Sequence, residues 1–179
     1  YSESLAQVKC ETPTIEECIN LIKEKSEDTP SGDWIVGQGW NQNTWGCFGN
    51  TSILDSVSGD HPVFLADKSI HAAWVNSRAL RIAQIDRGTP DPDGGTIQRD
   101  SEGNPTGILF ENAVNLVESL IPPISRSQRF SLMLKAQQNL HRLGLTGIHD
   151  FDRSDCFFTL QQMQQADQLT LRITKGIPI

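Results

Sequence analysis

Residues 125–174 read SRSQRFSLMLKAQQNLHRLGLTGIHDFDRSDCFFTLQQMQQADQLTLRIT, and this run decides the fold class. Ser125 followed by Gln128 is a capping box: a hydroxyl accepts an orphan N–H at the helix start, and an amide three residues on answers it. A long amphipathic helix follows to Leu143. Gly144 takes the position just past its end, where a left-handed residue closes many helices. Thr146 to His149 then reads as a strand, Cys156 to Ala166 as a second helix and Leu169 to Thr174 as a second strand. Helix–strand–helix–strand alternation is the pattern of a parallel sheet joined by crossovers. Two such units do not close a barrel, which takes eight strands.

Toward the N-terminus the pattern is more varied. Pro13 precedes Thr14-Ile15-Glu16-Glu17, another capping box, and Ile15, Cys18, Ile19 and Ile22 recur at helical spacing. That predicts a helix of about 14 residues, ended by Thr29-Pro30-Ser31-Gly32. Trp34 to Gly37 reads as a strand, and Gly39-Trp40-Asn41-Gln42-Asn43-Thr44-Trp45-Gly46 as a polar, aromatic loop. Leu54 to Val57 is at most a short helix, and Pro62 to Asp67 a buried strand. The spacing of Ala72, Val75, Ala79, Ile82 and Ile85 predicts a helix over 72–85. Thr96–Arg99 and Pro105–Leu109 flank Asp100-Ser101-Glu102-Gly103-Asn104, which predicts a hairpin with a Gly-containing loop. Phe110 to Leu120 reads as a helix stopped by Pro122-Pro123.

Composition excludes several function classes. The 179 residues carry 15 Lys+Arg against 22 Asp+Glu, a formal net charge of -7, with 37% hydrophobic residues. An acidic surface is a poor match for nucleic acid. No run approaches the ~18 apolar residues of a membrane span. There is no targeting signal at Tyr1-Ser2-Glu3-Ser4 and no initiator Met, so the chain is expected to be cut from something longer. Cys10, Cys18, Cys47 and Cys156 form no CxxC pair, which argues against a structural zinc site. They read as reduced, buried thiols of a cytoplasmic protein.

A few residues could carry chemistry. His149-Asp150 falls where a parallel strand should end, the place where α/β folds meet their ligands. With Asp152 it could bind a metal or move a proton. The structural alternative is that Asp150 caps the next turn and His149 is packed. His71 and Trp74 would share a face of the expected helix, with Asn76 to the side. That face could touch a substrate, or it could be an ordinary helix start with a core Trp. Glu111 is a site acid or a carboxylate serving the helix dipole. His141 reads as solvated, and Asp91-Pro92-Asp93-Gly94-Gly95 as a turn, because its acids lack the EF-hand spacing.

Six ordered blocks then bear on the family. They are Trp34 to Gly46, His61-Pro62-Val63-Phe64-Leu65, His71-Ala72-Ala73-Trp74-Val75-Asn76-Ser77, and Thr89-Pro90-Asp91-Pro92 with Gly94-Gly95. Gly103-Asn104-Pro105-Thr106-Gly107-Ile108-Leu109 with Glu111 and Gly144-Leu145-Thr146-Gly147-Ile148-His149-Asp150 complete the set. Together they resemble the type-3 branch of the metal-dependent amidohydrolases, which includes N-substituted formamide deformylase-like enzymes. One departure is Ile70, where the resemblance leads one to expect Gly before His71.

The resemblance implies an α/β fold: an incomplete TIM barrel of the amidohydrolase type with an inserted α+β subdomain. Residues 1–29 would hold the helix after the first barrel strand, 30–120 the insertion over the barrel mouth, and 121–179 two βα units. It implies a divalent metal, zinc by preference, in full-length members. A His-x-His pair, a carboxylated Lys, further His residues and an Asp would bind it, and metal-activated water would cleave an amide or related C–N bond. The His-x-His pair is absent here, and Lys175 matches the carboxylated Lys poorly. No metal is therefore expected on this chain, and no catalytic residue. The implied substrate-binding residues are His71, Trp74, Asn76, Glu111, Trp40, Trp45, His149 and Asp150, for a small amide. The fragment alone is expected to be inactive, to avoid nucleic acid and membranes, and to self-associate through exposed strand edges. The alternative is a stand-alone binding domain that uses the Trp-rich loop.

Overall fold

The computed structural model describes residues 1–152 and 154–176; Arg153 and the last three residues of the span expected for the βα units lie outside them. Gln7–Pro122 forms one unit, and Tyr1–Ala6 with Pro123–Ile179 forms another.

The first unit is built on a mixed sheet. Its elements are β1 (Val8–Lys9), α1 (Ile15–Asp28), β2 (Ile35–Trp40), α2 (Gln42–Trp45), α3 (Thr51–Ser58), β3 (Val63–Asp67) and β4 (Ala72–Val75). They continue with α4 (Ser77–Ile82), β5 (Gly95–Arg99), β6 (Pro105–Glu111) and α5 (Asn115–Glu118). The six strands lie in the order β1-β2-β3-β4-β6-β5. The first three are parallel, and the other pairings are antiparallel.

Both faces of the sheet are covered, which is why its central strands read as unbroken apolar runs. Along β4, Ala72 and Trp74 enter the core beneath α1 and α3, with Ile22, Trp40, Leu54 and Ile108. Ala73 and Val75 enter the opposite core, with Phe64, Leu80, Ile85, Leu109 and Val117.

This two-sided burial corrects the sequence expectation for 72–85. Ala72–Val75 is a strand, and the helix begins only after Asn76. The apolar positions that suggested one helical face include residues buried on both sides of a sheet. A second correction concerns 110–120, where β6 continues through Glu111 and only Asn115–Glu118 is helical. Trp40 belongs to β2 rather than to the loop. The hairpin stands: Asp100 Oδ1 accepts from the N–H groups of Glu102 and Asn104 at 2.9 and 2.8 Å, and Gly103 takes φ +87. Helix α1 is capped by the Thr14 hydroxyl, which accepts from Glu17 N at 3.2 Å.

The second unit contains α6 (Arg126–Arg142), β7 (Gly147–Asp150), α7 (Ser154–Gln165) and β8 (Arg172–Lys175). The Ser125–Gln128 capping box is complete. Gly144 follows the helix in the left-handed region at φ +79. β7 and β8 are parallel, with Asp150 opposite Lys175, as the alternation requires. The Gln137 amide ties α6 to the approach of β8. Its Oε1 accepts from Thr170 N at 2.7 Å, and its Nε2 donates to Gln168 O at 3.0 Å. Among the described residues no helix is long and apolar enough to cross a membrane. Cys10 and Cys18 are buried, but Cys47 is exposed, which corrects the expectation of four buried thiols.

Candidate functional site

Parallel strands present their carboxyl ends together, and β7 and β8 do so with Asp150 and Lys175. Lys175 Nζ donates to Asp150 Oδ2 at 2.7 Å and also to the Asp152 carbonyl. Asp150 Oδ1 accepts from Asp152 N at 3.1 Å, and the Cys156 thiol donates to Oδ2 at 3.5 Å. Burial by itself would raise the Asp150 carboxyl. The Lys175 ammonium, the Asp152 N–H and the Cys156 thiol outweigh it and hold the group below the usual carboxylate range. Burial and the neighbouring Asp150 push the Cys156 thiol up to about 11. The result is an ionised carboxylate and a protonated thiol at neutral pH.

His149 does not join this group. Side chains alternate across a strand. Asp150 is buried, whereas His149 is exposed on the other face, 6.5 Å in ring centroids from Phe151. The sequence pointed to His149 and Asp150 as neighbours at one strand end; the strand separates their side chains. The partner that sequence reasoning missed is Lys175. A signal for it existed, since Asp150 and Lys175 each follow directly on an expected strand.

A second titratable pair lies in the first unit. His71 Nδ1 and Glu111 Oε2 are 3.0 Å apart, and both side chains are exposed. The hydrogen bond to Glu111 and its charge raise the His71 pKa above 6.5. The backbone N–H of Glu111 also donates to His71 O at 2.8 Å. Two of the residues holding this pair have left-handed backbones: Ile70 at φ +64 and Glu111 at φ +51. For a β-branched residue that conformation is strained. It explains physically why Gly is the residue expected before His71.

The remaining expected site residues serve the fold. Asn76 is 1% exposed and its amide is fully used. Its Oδ1 accepts from Val63 N and Ala79 N at 3.0 Å each, and its Nδ2 donates to Ser58 Oγ at 3.0 Å and His61 O at 2.9 Å. Trp40 and Trp74 are fully buried, and their indole N–H groups donate to Leu65 O at 2.7 Å and Asn50 O at 3.0 Å. Trp45 stacks on Trp40 with ring centroids 6.1 Å apart, and its N–H donates to Thr12 O at 2.9 Å. Gly49 lies against the Trp74 ring so closely that a Cβ there would come within 2.3 Å of it. Within the Trp-rich stretch Trp40 is core, and no face of Trp40 or Trp74 is open to a ligand.

Residues 5–178 match the sequence model of the amidohydrolase family. The chain belongs to the amidohydrolase family. YtcJ of Bacillus subtilis (strain 168) is 39% identical over 138 residues, covering 76% of this chain and 26% of that protein. N-substituted formamide deformylase of Arthrobacter pascens is 32% identical over 183 residues, covering 89% and 34%. An uncharacterized metal-dependent hydrolase from Pyrococcus horikoshii OT3 superposes with a TM-score of 0.69 at 23% identity, over 98% of this chain and 34% of that one. The amidohydrolase chain therefore spans about a quarter to a third of the length of these relatives.

The Pyrococcus horikoshii OT3 protein is described as a metal-dependent hydrolase, and one group in this amidohydrolase chain can be tested as a metal site. Atoms of Asp150, Asp152 and Cys156 lie within 4.8 Å of one another. The set does not fit a divalent cation. The Lys175 ammonium already bonds Asp150 Oδ2, and a thiol pushed up to about 11 keeps its proton, whereas a ligating sulfur must lose it. Among the described residues this is the one such group of His, Cys, Asp and Glu.

Proposed function

We propose that this chain is part of a metal-dependent amidohydrolase that cleaves an amide or related C–N bond with metal-activated water, zinc being the preferred ion, and that the chain alone is inactive. The observation that carries the reading is the Asp150–Lys175 pair at the carboxyl ends of two adjacent parallel strands, in a chain matched to the family over residues 5–178. In this reading the lysine takes the place of a cation and holds the strand ends in register. The metal ligands come from outside these residues. The His71–Glu111 pair is the substrate-facing element: a protonated imidazole held by a carboxylate can donate a hydrogen bond to an amide carbonyl. Trp40 and Trp74 pack in the core of the same sheet, and Asn76 holds the far end of β4. Trp45 and His149 keep exposed surface and remain candidate contacts. The isolated chain is also proposed to self-associate through β7 and β8.

The test uses two proteins. The chain itself, supplied with zinc or manganese and a panel of N-formyl and N-acyl amines, is expected to release no amine above buffer. Chelator-sensitive release would refute its inactivity. The protein extended by its in-frame flanking coding sequence is expected to hydrolyse members of the panel. No turnover by that protein under any metal would sink the hydrolase reading.

A further inference from the structure

The stretch Thr89-Pro90-Asp91-Pro92-Asp93 reads as a turn, and the structure gives it a second task. β5 ends the order of the six-stranded sheet, so one of its sides has no strand beside it among the described residues. Such an edge presents unpaired N–H and C=O groups to any other strand. Residues 89–93 run along that side and are fastened to the sheet. Arg99 Nη2 donates to Thr89 O, Asn112 Nδ2 donates to Asp93 O at 2.8 Å, and Gly95 N donates to Pro92 O at 3.0 Å. Ile97, in the middle of β5, lies opposite Leu109 of β6, yet both its backbone groups are bonded by side chains. Its N–H donates to Asp91 Oδ1 at 3.1 Å, and its C=O accepts from Arg99 Nη1 at 2.8 Å. The same Nη1 donates to Asp91 Oδ1 at 2.8 Å. An ion pair thus occupies the place of a neighbouring strand. Pro90 and Pro92 have no N–H, so the strap offers little for a further strand to pair with.

What the strap holds off follows from the strand it covers. Ile97 turns one donor and one acceptor to the open side. Two antiparallel copies centred on this residue would exchange both bonds, the closely spaced pair of an antiparallel ladder. Such a contact is self-complementary, as a two-fold interface requires. Thr96 of each copy falls opposite Gln98 of the other, so no like charges meet at its centre. We propose that the strap over residues 89–93, latched by Asp91 and Arg99, closes the β5 edge against a second copy of this chain, and that opening the latch makes this edge a homodimer interface. The interface is distinct from the β7–β8 edges and independent of amide hydrolysis.

Hydrogen exchange at the Ile97 amide, read with sedimentation velocity across protein concentrations, tests both halves. In the wild-type chain this amide is expected to be protected at every concentration; exchange at the rate of a free peptide would overturn the latch. In Asp91→Ala/Arg99→Ala it should exchange about tenfold faster in dilute protein, as the loss of one hydrogen bond allows. It should slow again as concentration rises, while a species of twice the wild-type mass appears. Wild-type protection in dilute variant of wild-type mass would overturn the latch. Fast exchange at every concentration would overturn the second copy as occupant, and so would a larger species whose Ile97 amide stays fast. If the double variant does not fold, Asp91→Ala alone removes the acceptor of the Ile97 N–H. It must then give faster exchange in dilute protein and renewed protection on association, and failure of either change refutes the proposal.

Discussion

At Ile70 the chain holds a branched side chain at φ +64, 78% exposed. A left-handed L-residue costs about 1–2 kcal/mol, and glycine would return part of that as extra unfolded-state freedom, about 0.5–1 kcal/mol. Ile70→Gly is therefore expected to stabilise the protein by about 0.5–1 kcal/mol. Urea denaturation checks it, and a loss of stability would show that the side chain has a role its exposure does not reveal. His71, next along the chain, has a pKa raised by Glu111. The sign follows directly: a raised folded value means that the pair's stabilisation is present below 6.5 and is lost as pH rises through the folded value. In an NMR titration, Glu111→Gln should bring the His71 midpoint down toward 6.5. An unchanged midpoint would mean that Glu111 is not the cause.

Asn76 joins two elements and braces a third, so its loss belongs to the scale of the element. It ends β4, caps α4 and bonds the approach to β3. Removing a cap costs about 1 kcal/mol, and each buried group left unpaired adds about 1–3 kcal/mol. Asn76→Ala is expected to cost about 3 kcal/mol, read as a lower denaturation midpoint; a cost under ~1 kcal/mol would mean that water replaces the lost bonds. Lys175 is the corresponding clamp between β7 and β8, with side chains 13% and 9% exposed across the pair. Lys175→Met leaves Asp150 buried without its cation, for which about 3 kcal/mol is expected. The wild-type carboxyl is depressed, so its contribution is present above 3.8 and is lost as pH falls through the folded value. In Lys175→Met the loss of stability on acidification below 3.8 should shrink or reverse, because burial is then free to raise the Asp150 carboxyl; an unchanged acid limb would show that Lys175 does not hold Asp150 ionised.

For the molecule as a whole, the two units differ in how well their sheets are closed. The mixed sheet has six strands and apolar cores on both faces. The β7–β8 sheet has two, and a two-stranded sheet leaves most of its backbone edges unpaired. Leu145 just before β7 and Phe151 just after it are 44% and 79% exposed. Light scattering of the purified chain is expected to show a dimer or larger species that weakens when Phe151 and Leu145 are made polar. A monodisperse monomer would rule out strand-edge association.

How much was legible in the sequence depended on the range of the signal. Caps, turns and helical spacing act over three or four residues. Residues 125–174 therefore declared their alternation, and the 100–104 hairpin its loop, without any knowledge of neighbours. The six ordered blocks carried the family for the same reason: they are local strings. The strand at Ala72–Val75 was invisible because burial on both faces erases the alternation that marks a strand, and only β3 and β6 beside it make it one. Trp40, Trp74 and Asn76 stood out as polar or aromatic residues near a supposed pocket, yet whether they face a ligand or a core depends on what packs above them. The Asp150–Lys175 bond joins residues 25 positions apart, and the His71–Glu111 pair residues 40 apart. By itself the sequence determined the alternation of residues 125–174, the 100–104 hairpin, the family and the strand ends where charge would gather. Tertiary structure alone decided which charges meet, because long-range pairing and two-sided burial are properties of packed surfaces and leave no periodic trace along the chain.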